Sequence, residues 1–539
     1  MTQISADLVL HNGNIFIGKD KGFAPSLAIW GGKVLAHGSD EDIADLIGPG
    51  TNTVDLAGRT AIPGINDAHQ HMLSLGLAQL EIDLRAHVVS TMEELLVKVK
   101  DRVGEVGPGE WVVGGRYDHF ALDVNRQPYR EELDQVAPDN PVLLIRTCGH
   151  IGVANSKAFE LAGINEETPD PPGGHLVREN GRLTGELQES AKNLVRDAMP
   201  SRGLDELIDG LEAGGNLLLS HGITSVMDAG VGFAEGYLDL IAYQEARRRN
   251  RLKVRSYLSL TGGPGGIADR AHENGLLSGF GDEYLKIGSV KLFTDGSAGG
   301  KTAAMNDPYR CNCGNRGLFI YEDKEIFDYV ATYHRQGYQV SMHAIGDAAI
   351  DQCLRALEAA QTQYPGEGRR HRIEHCSFTT TEQVVRMQDQ GVIPAPQPVF
   401  IYEFGDLYID VLGMERPSIS YPMRSWMDAG LRPSASSDAP VSDFNPFKNM
   451  YAMVTRKTNR GTLLGAAEIL SMEAAVHALT MNGAYGSFSE QAKGDLSVGM
   501  LADIAVLDRD IFTIDAEDLL AGQVDLTVLD GEIVYERHS

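Results

Sequence analysis

Short apolar runs recur along the whole chain, and their spacing divides it into two β-rich ends around an α/β centre. The opening segments "ADLVLHNGNIFIG", "SLAIWGGKVLAHG" and "NTVDLAGRTAIPG" place Asn-Gly, Gly-Gly and Ala-Gly between strand-like stretches, which is hairpin chemistry. The closing segments "GDLSVGMLADIAVLDRD" and "VDLTVLDGEIVYE" repeat that pattern, the second with an Asp-Gly turn. Residues 1–60 and 487–539 are therefore expected to meet in one small composite β-sandwich.

From 61 to 486, strand-like runs alternate with helical patterns such as "EGYLDLIAYQEARRRN" and "AIDQCLRALEAAQTQY". The predicted strands begin with "TAIPGINDAH", then "HGITSVMDAG" at 221–230, "LKVRSYLSL" at 252–260 and "IGSVKLFTDG" at 287–296. "YQVSMHA" at 338–344, "HRIEHC" at 371–376, "GVIPAPQ" at 391–397 and "LRPSASSD" at 431–438 complete eight. Eight such units predict an α/β fold, a parallel (β/α)8 TIM-type barrel with functional groups at the C-terminal strand ends. Roughly 150 residues separate the first run from the second, too many for a loop. An inserted α/β subdomain is expected over about 75–220, with a helix in "TMEELLVKVKDRVGEV" and a hairpin in "GHLVRENGRLTGEL". Following a barrel strand, it would lie above the barrel mouth.

The ends of these runs carry the candidate chemistry. His69 and His71 close the first run, and alternation sets both imidazoles on one face. Lys291, His343, His375 and Asp438 follow, each at the end of a later run. Packing has no need of polar residues at one end of so many strands, so the set points to a metal site.

Composition narrows the class. Hydrophobic content of 42% and charged content of 23% are those of a globular protein. The net charge of −28 disfavours nucleic acid and anionic membrane surfaces as partners. Five unevenly spaced cysteines, Cys148, Cys311, Cys313, Cys353 and Cys376, do not form a disulfide framework and fit a reducing cytoplasm. Cys311-Asn312-Cys313 lacks the second pair that a metal knuckle needs. The opening "MTQISADLVLHNG" has neither the cationic start nor the apolar core of a signal peptide, and no apolar run has the length of a membrane span.

The motifs "LHNGNIF", "IPGINDAHQH", "GHIGVANSKA", "GITSVMDAG", "VKLFTDGS", "MHAIGD", "HRIEHC", "SSDAPV", "NPF" and "GDLSVGMLADIAVLD" together resemble the amidohydrolase superfamily, in the branch that contains N-substituted formamide deformylase. The resemblance implies a (β/α)8 barrel carrying a β-sandwich built from both termini. It implies that His69, His71 and Asp438 bind a buried divalent metal, zinc being favoured by such ligands. His343 and His375 would bind a second ion, and a carboxylated Lys291 would bridge the two. It further implies hydrolysis of an amide or N-formyl C–N bond of a small, partly apolar substrate, by a metal-activated water with Asp438 shuttling the proton. His150 is a candidate oxyanion donor or substrate contact, and Tyr117 and Phe400 are candidate substrate contacts. The chain departs from many relatives at Cys148 and at Ala298-Gly299-Gly300-Lys301, both expected near the mouth. No nucleic acid or membrane partner is expected, and a homodimer is the default assembly.

Other readings remain open at this level. Lys291 could instead be ion-paired with Asp295 or Glu374, leaving a single-metal site, and Asp438 could cap the following helix. His221, His334 and His371 read as structural or exposed. Phe400, Tyr402, Phe404 and Tyr408 lie in a stretch expected on a mouth loop, where they could line a pocket or pack the loop down. Ester or lactone hydrolysis, decarboxylation, or a non-catalytic regulator on the same barrel are the alternative functions.

Overall fold

The computed structural model describes residues 5–537 except 87, 147–150, 172, 311–313 and 367. The chain divides into two compact units, one of Met1–Leu75 with Gly214–Ser539 and one of Gly76–Ala213.

In the first unit, seven strands form one parallel sheet: β1 (Ile65–Gln70), β2 (Ile223–Val231), β3 (Arg255–Thr261), β4 (Leu285–Phe293), β5 (Gln339–Ala344), β6 (Arg372–His375) and β7 (Ile393–Ala395). They hydrogen-bond in chain order from β1 to β7. Most of their residues are buried, as expected for a parallel sheet covered by helices, and every residue of β2 and β3 is buried. Covering helices include Tyr237–Arg248, Asp323–Arg335, Asp347–Gln363 and Thr381–Gln390. The last starts at a capping box in which Thr380 and Gln383 satisfy each other's backbone N–H groups.

The eighth predicted strand, 431–438, is not a regular strand. Ser434 and Ser436 donate to the carbonyls of Pro394 and Pro396, at 3.0 and 3.1 Å, and the chain then turns to the other edge. There Asp438 donates to the His69 carbonyl at 2.8 Å, and His71 donates to the Ala439 carbonyl at 2.8 Å. Pro394, Pro396 and Pro433 carry no N–H, so a reciprocal ladder cannot form. The extended segment nonetheless spans the gap between β7 and β1. The fold is an α/β TIM-type barrel, nearly closed by seven strands.

The run "TAIPGINDAH" also divides. Thr60–Pro63 joins a six-stranded sheet, and β1 begins after Gly64. That sheet takes Asn14–Gly18, Gly22–Ala24 and Thr60–Pro63 from one end of the chain and Ile504–Leu507, Val524–Leu529 and Glu532–Glu536 from the other. Ile504–Leu507 pairs antiparallel with Thr60–Pro63. A four-stranded sheet of Leu8–His11, Ser26–Trp30, Lys33–Gly38 and Asn52–Asp55 shares a hydrophobic cluster with it, including Leu10, Leu27, Ile29, Val506 and Val528.

The aromatic stretch after β7 is a helix, Val399–Leu412, and not a loop. Phe400, Phe404 and Tyr408 recur at intervals of four and share one helical face. In the second unit, a six-stranded sheet runs from Gly174–Glu179 to Ile82–Asp83, and the helix Met92–Glu105 begins at a Thr91–Glu94 capping box. Asn180 and Gly181, at φ of 51° and 81°, close its hairpin as a two-residue turn requires. No helix among the described residues is long and apolar enough to cross a membrane.

Candidate metal centre

The parallel register brings the strand-end residues together. Phe293 of β4 lies beside His343 of β5, and His343 lies beside Glu374 of β6. On β1, Asp67 and His69 share a face, and His71 follows the strand end. Asp438 arrives on the extended segment between β7 and β1. Its backbone has φ of +60°, and that of His375 has φ of +65°. Left-handed non-glycine residues cost about 1–3 kcal/mol each and collect at functional sites.

The Nε2 atoms of His69 and His71 lie 3.4 and 3.3 Å from the same oxygen, Oδ1 of Asp438. One donor atom each of His69, His375 and Asp438 falls within 4.8 Å of the other two. The His375 ring stands 5.1 Å from that of His69 and 4.4 Å from that of His343, centre to centre.

Outer partners fix which nitrogen of each ring faces inward. His69 Nδ1 lies 2.5 Å from Oε2 of Glu374, a buried carboxylate that can only accept. His375 Nδ1 lies 2.7 Å from Oε1 of Gln397, whose amide nitrogen donates to the Ala395 carbonyl and to Ser436. In both rings Nδ1 therefore carries the proton, and the Nε2 lone pair is free. In neutral His69 that lone pair faces Asp438 Oδ1, an arrangement that needs a proton or a cation between the two atoms. The donor set of imidazole nitrogens and carboxylate oxygen fits a divalent metal ion on that ground.

Burial and Lys291 pull the His69 pKa down, but Glu374 and Asp438 outweigh them and raise it. Burial opposes ionisation of Asp438, yet the His69 and His71 imidazoles beside its Oδ1 hold its pKa well below the usual carboxylate range. Burial and Lys291 push His343 down to about 3, and burial and His343 push His375 well below the imidazole range. Both rings are neutral and keep a lone pair for a ligand bond.

Lys291 is buried, and burial lowers its pKa to about 8. Its Nζ lies 4.9 Å from the centre of the Phe293 ring. It is not ion-paired with Asp295 or Glu374. Glu374 is engaged by Arg372, at 2.7 and 3.1 Å, and by His69. Asp295 accepts the N–H groups of Ala304, Ile345 and Gly346 at 3.0, 3.1 and 2.8 Å, and burial raises its pKa to about 7. Its Oδ1 is also 3.4 Å from His343 Nε2, which lies 3.0 Å from the Gly296 carbonyl.

Asp67 secures Asp438 from behind. Its carboxylate accepts the Ser437 N–H at 3.0 Å and the Ser437 hydroxyl at 2.5 Å. Asp67, Arg372, Glu374 and Gln397 were not identified as site residues from the sequence. Their one signal there was a charged or amide side chain inside or beside an apolar strand run.

Aromatic rings border the cluster. Phe400 stacks on His375 at 6.2 Å and meets Phe404 at 4.9 Å. Phe293 lies 5.3 Å from His343, and Phe233 lies 5.8 Å from both His71 and Phe293. Tyr117 is packed in the core of the second unit, where its hydroxyl donates to Gln127 at 2.7 Å. His150, Cys148, Cys311 and Cys313 lie outside the described residues.

The sequence profile of the amidohydrolase family matches residues 52–535. An N-substituted formamide deformylase from Arthrobacter pascens is 30% identical, over 100% of this chain and 99% of its own length. The protein LONG AFTER FAR-RED 3 of Arabidopsis thaliana is 30% identical, over 99% of this chain and 92% of its own. The crystal structure of an uncharacterized metal-dependent hydrolase from Pyrococcus furiosus is 30% identical and superposes with a TM-score of 0.77, covering 94% of this chain and 100% of that one. A family match over most of the chain, on a barrel that gathers this donor set at its strand ends, leaves one assignment: the chain belongs to the amidohydrolase family and is a metal-dependent hydrolase.

Proposed function

We propose that the protein hydrolyses a non-peptide C–N bond, of amide or N-formyl type, in a small and partly apolar molecule. The observation that carries this reading is the shared Asp438 Oδ1, 3.4 and 3.3 Å from two imidazole nitrogens and backed by His375. The Arthrobacter relative, named as an N-substituted formamide deformylase, supports the bond type.

His69, His71 and Asp438 would hold one ion, His343 and His375 a second, and carboxylated Lys291 would bridge them. Zinc suits these ligands. When bound, such an ion supplies a Lewis acid that acidifies water and polarises a carbonyl. Asp438 takes a proton from the attacking water as the new C–O bond forms, then returns it to the nitrogen as the C–N bond breaks. Its lowered pKa keeps Asp438 ionised, so the carboxylate enters the reaction as the acceptor. Phe233, Phe293, Phe400 and Phe404 offer an apolar surface for the substrate body. Buried Lys291, with no ion pair among the described residues, is available for carboxylation by carbon dioxide.

The test is a panel of N-formyl amines, amides, carbamates, esters and lactones offered to zinc-loaded protein. N-formyl amines or amides are expected to give the highest kcat/KM, and turnover confined to esters or lactones would replace this reading. Lys291→Ala should lower bound metal from two equivalents toward one, and bicarbonate should speed reconstitution only of the unaltered protein. One equivalent in the unaltered protein, unchanged in Lys291→Ala, would leave a single-ion site.

A further inference from the structure

The imidazoles around Asp438 differ in what holds their far side. His69 has the buried carboxylate of Glu374 at 2.5 Å, His375 has the neutral amide of Gln397 at 2.7 Å, and His343 has the Gly296 carbonyl at 3.0 Å. His71 Nδ1 is buried with no hydrogen-bond partner in the structure. Among the described residues His69 has the closest carboxylate, whereas His343 has Asp295 Oδ1 at 3.4 Å, a carboxyl whose pKa burial raises to about 7.

That charge is itself locked. Arg372 Nε donates to Glu374 Oε1 at 2.7 Å, and its terminal nitrogen donates to Oε2 at 3.1 Å. The same terminal nitrogen donates to the Ala68 carbonyl at 2.7 Å, one residue before His69. Arg372, Glu374 and His69 are all fully buried or nearly so. β6 thus grips both the ring and the backbone of the β1 ligand.

We propose that Glu374, held by Arg372, is a positioning residue that makes His69 the anchoring ligand of the metal centre. Glu374 fixes the Nδ1–H tautomer, aims Nε2 at Asp438 Oδ1, and raises the electron density on that nitrogen. His69 and Asp438 would then capture the first ion, with His71 closing on it afterwards, while His375, whose donor atom lies within 4.8 Å of both, stays with the second. This inference rests on the metal-dependent reading above, and its failure is separable from the failure of that reading.

The alternative role for Glu374 is purely structural, as the counter-charge of buried Arg372. Zinc and cobalt affinity, measured by chelator competition, separates the two roles when Glu374→Gln is compared with Arg372→Met/Glu374→Gln. Glu374→Gln removes the charge and keeps the shape, and should weaken the affinity of the tighter-bound ion about 10–100-fold, the usual effect of losing such an outer partner. The double variant removes the uncompensated arginine and should recover thermal stability while affinity stays low. The cobalt d–d absorption of that tighter site should also shift in both variants. Affinity and spectrum equal to the unaltered protein in Glu374→Gln, or affinity restored in the double variant, would overturn the positioning role and leave the hydrolase reading intact. Unaltered protein that takes up neither ion would overturn both.

Discussion

Asp438 carries three constraints in one residue: a left-handed backbone, two imidazole nitrogens on one oxygen, and a carboxylate kept ionised in a buried setting. The strain is held by Asp67, which grips the preceding Ser437 through backbone and hydroxyl. Replacement by Asn keeps the shape and removes the proton acceptor. Asp438→Asn should therefore lower kcat at least about 100-fold, the low end of what general acid–base catalysis contributes. Thermal melting of the metal-free protein should show the fold retained, and metal analysis should show whether any ion is lost. Activity near normal would remove Asp438 from the proton path.

At the scale of elements, the loops after β4 and β5 are joined through Asp295 and a close backbone approach. Gly346 passes so near the Ala304 carbonyl that an added Cβ would sit 1.8 Å from its oxygen. Gly346→Ala must push the two loops apart and disturb the carboxylate that both clasp. A loss of about 1–3 kcal/mol of stability is expected, read by chemical denaturation. A second junction ties the helix Asp323–Arg335 to β5 and β6. His371 accepts the Val340 N–H at 2.9 Å through Nδ1, lies 2.8 Å from His334, and His334 lies 2.8 Å from the Tyr364 carbonyl. The chain of bonds requires His371 to be neutral, and burial, with His334 and Arg369 nearby, pushes its pKa down to about 3. The unfolded chain takes up that proton near the ordinary imidazole value and the folded chain does not. Stability is thus complete above about pH 6.5 and falls as pH drops, by about 2 kcal/mol between about pH 7.5 and about pH 5 from this group. His371→Gln should lower stability at neutral pH and flatten that slope in denaturation measured at both pH values.

At the scale of the molecule, a buried ion pair joins the barrel to the sheet built from both chain ends. Arg255 of β3 grips Asp503, just before Ile504–Leu507, at 2.8 and 3.0 Å, and Asp503 also accepts the Asp530 N–H at 3.0 Å. Asp503→Ala leaves a buried guanidinium with the half-exposed Asp530 carboxylate at 3.2 Å as its remaining counter-charge among the described residues. A loss of about 3–5 kcal/mol is expected, seen as a lower Tm for the whole first unit in a single transition. A separate early transition of the terminal sheets would show that the two parts melt independently.

The clustering of the strand-end polar residues was legible in the sequence because a polar residue closing an apolar run has few structural explanations, and a series of such endings has fewer. The chain order of the seven strands was legible for the same reason: period and length separate strand from helix locally. The helix at Val399–Leu412 was misread as a loop because aromatic composition outweighed its spacing of four. The irregular eighth segment was read as a strand because apolar runs do not reveal which carbonyls face which N–H groups, and three prolines decided that. What Lys291 faces, which nitrogen of each histidine is free, and the roles of Glu374, Gln397 and Asp67 came only from tertiary contacts. Strand patterning dictates where a ligand sits on its own element, whereas its tautomer, charge and aim depend on atoms hundreds of residues away in the chain.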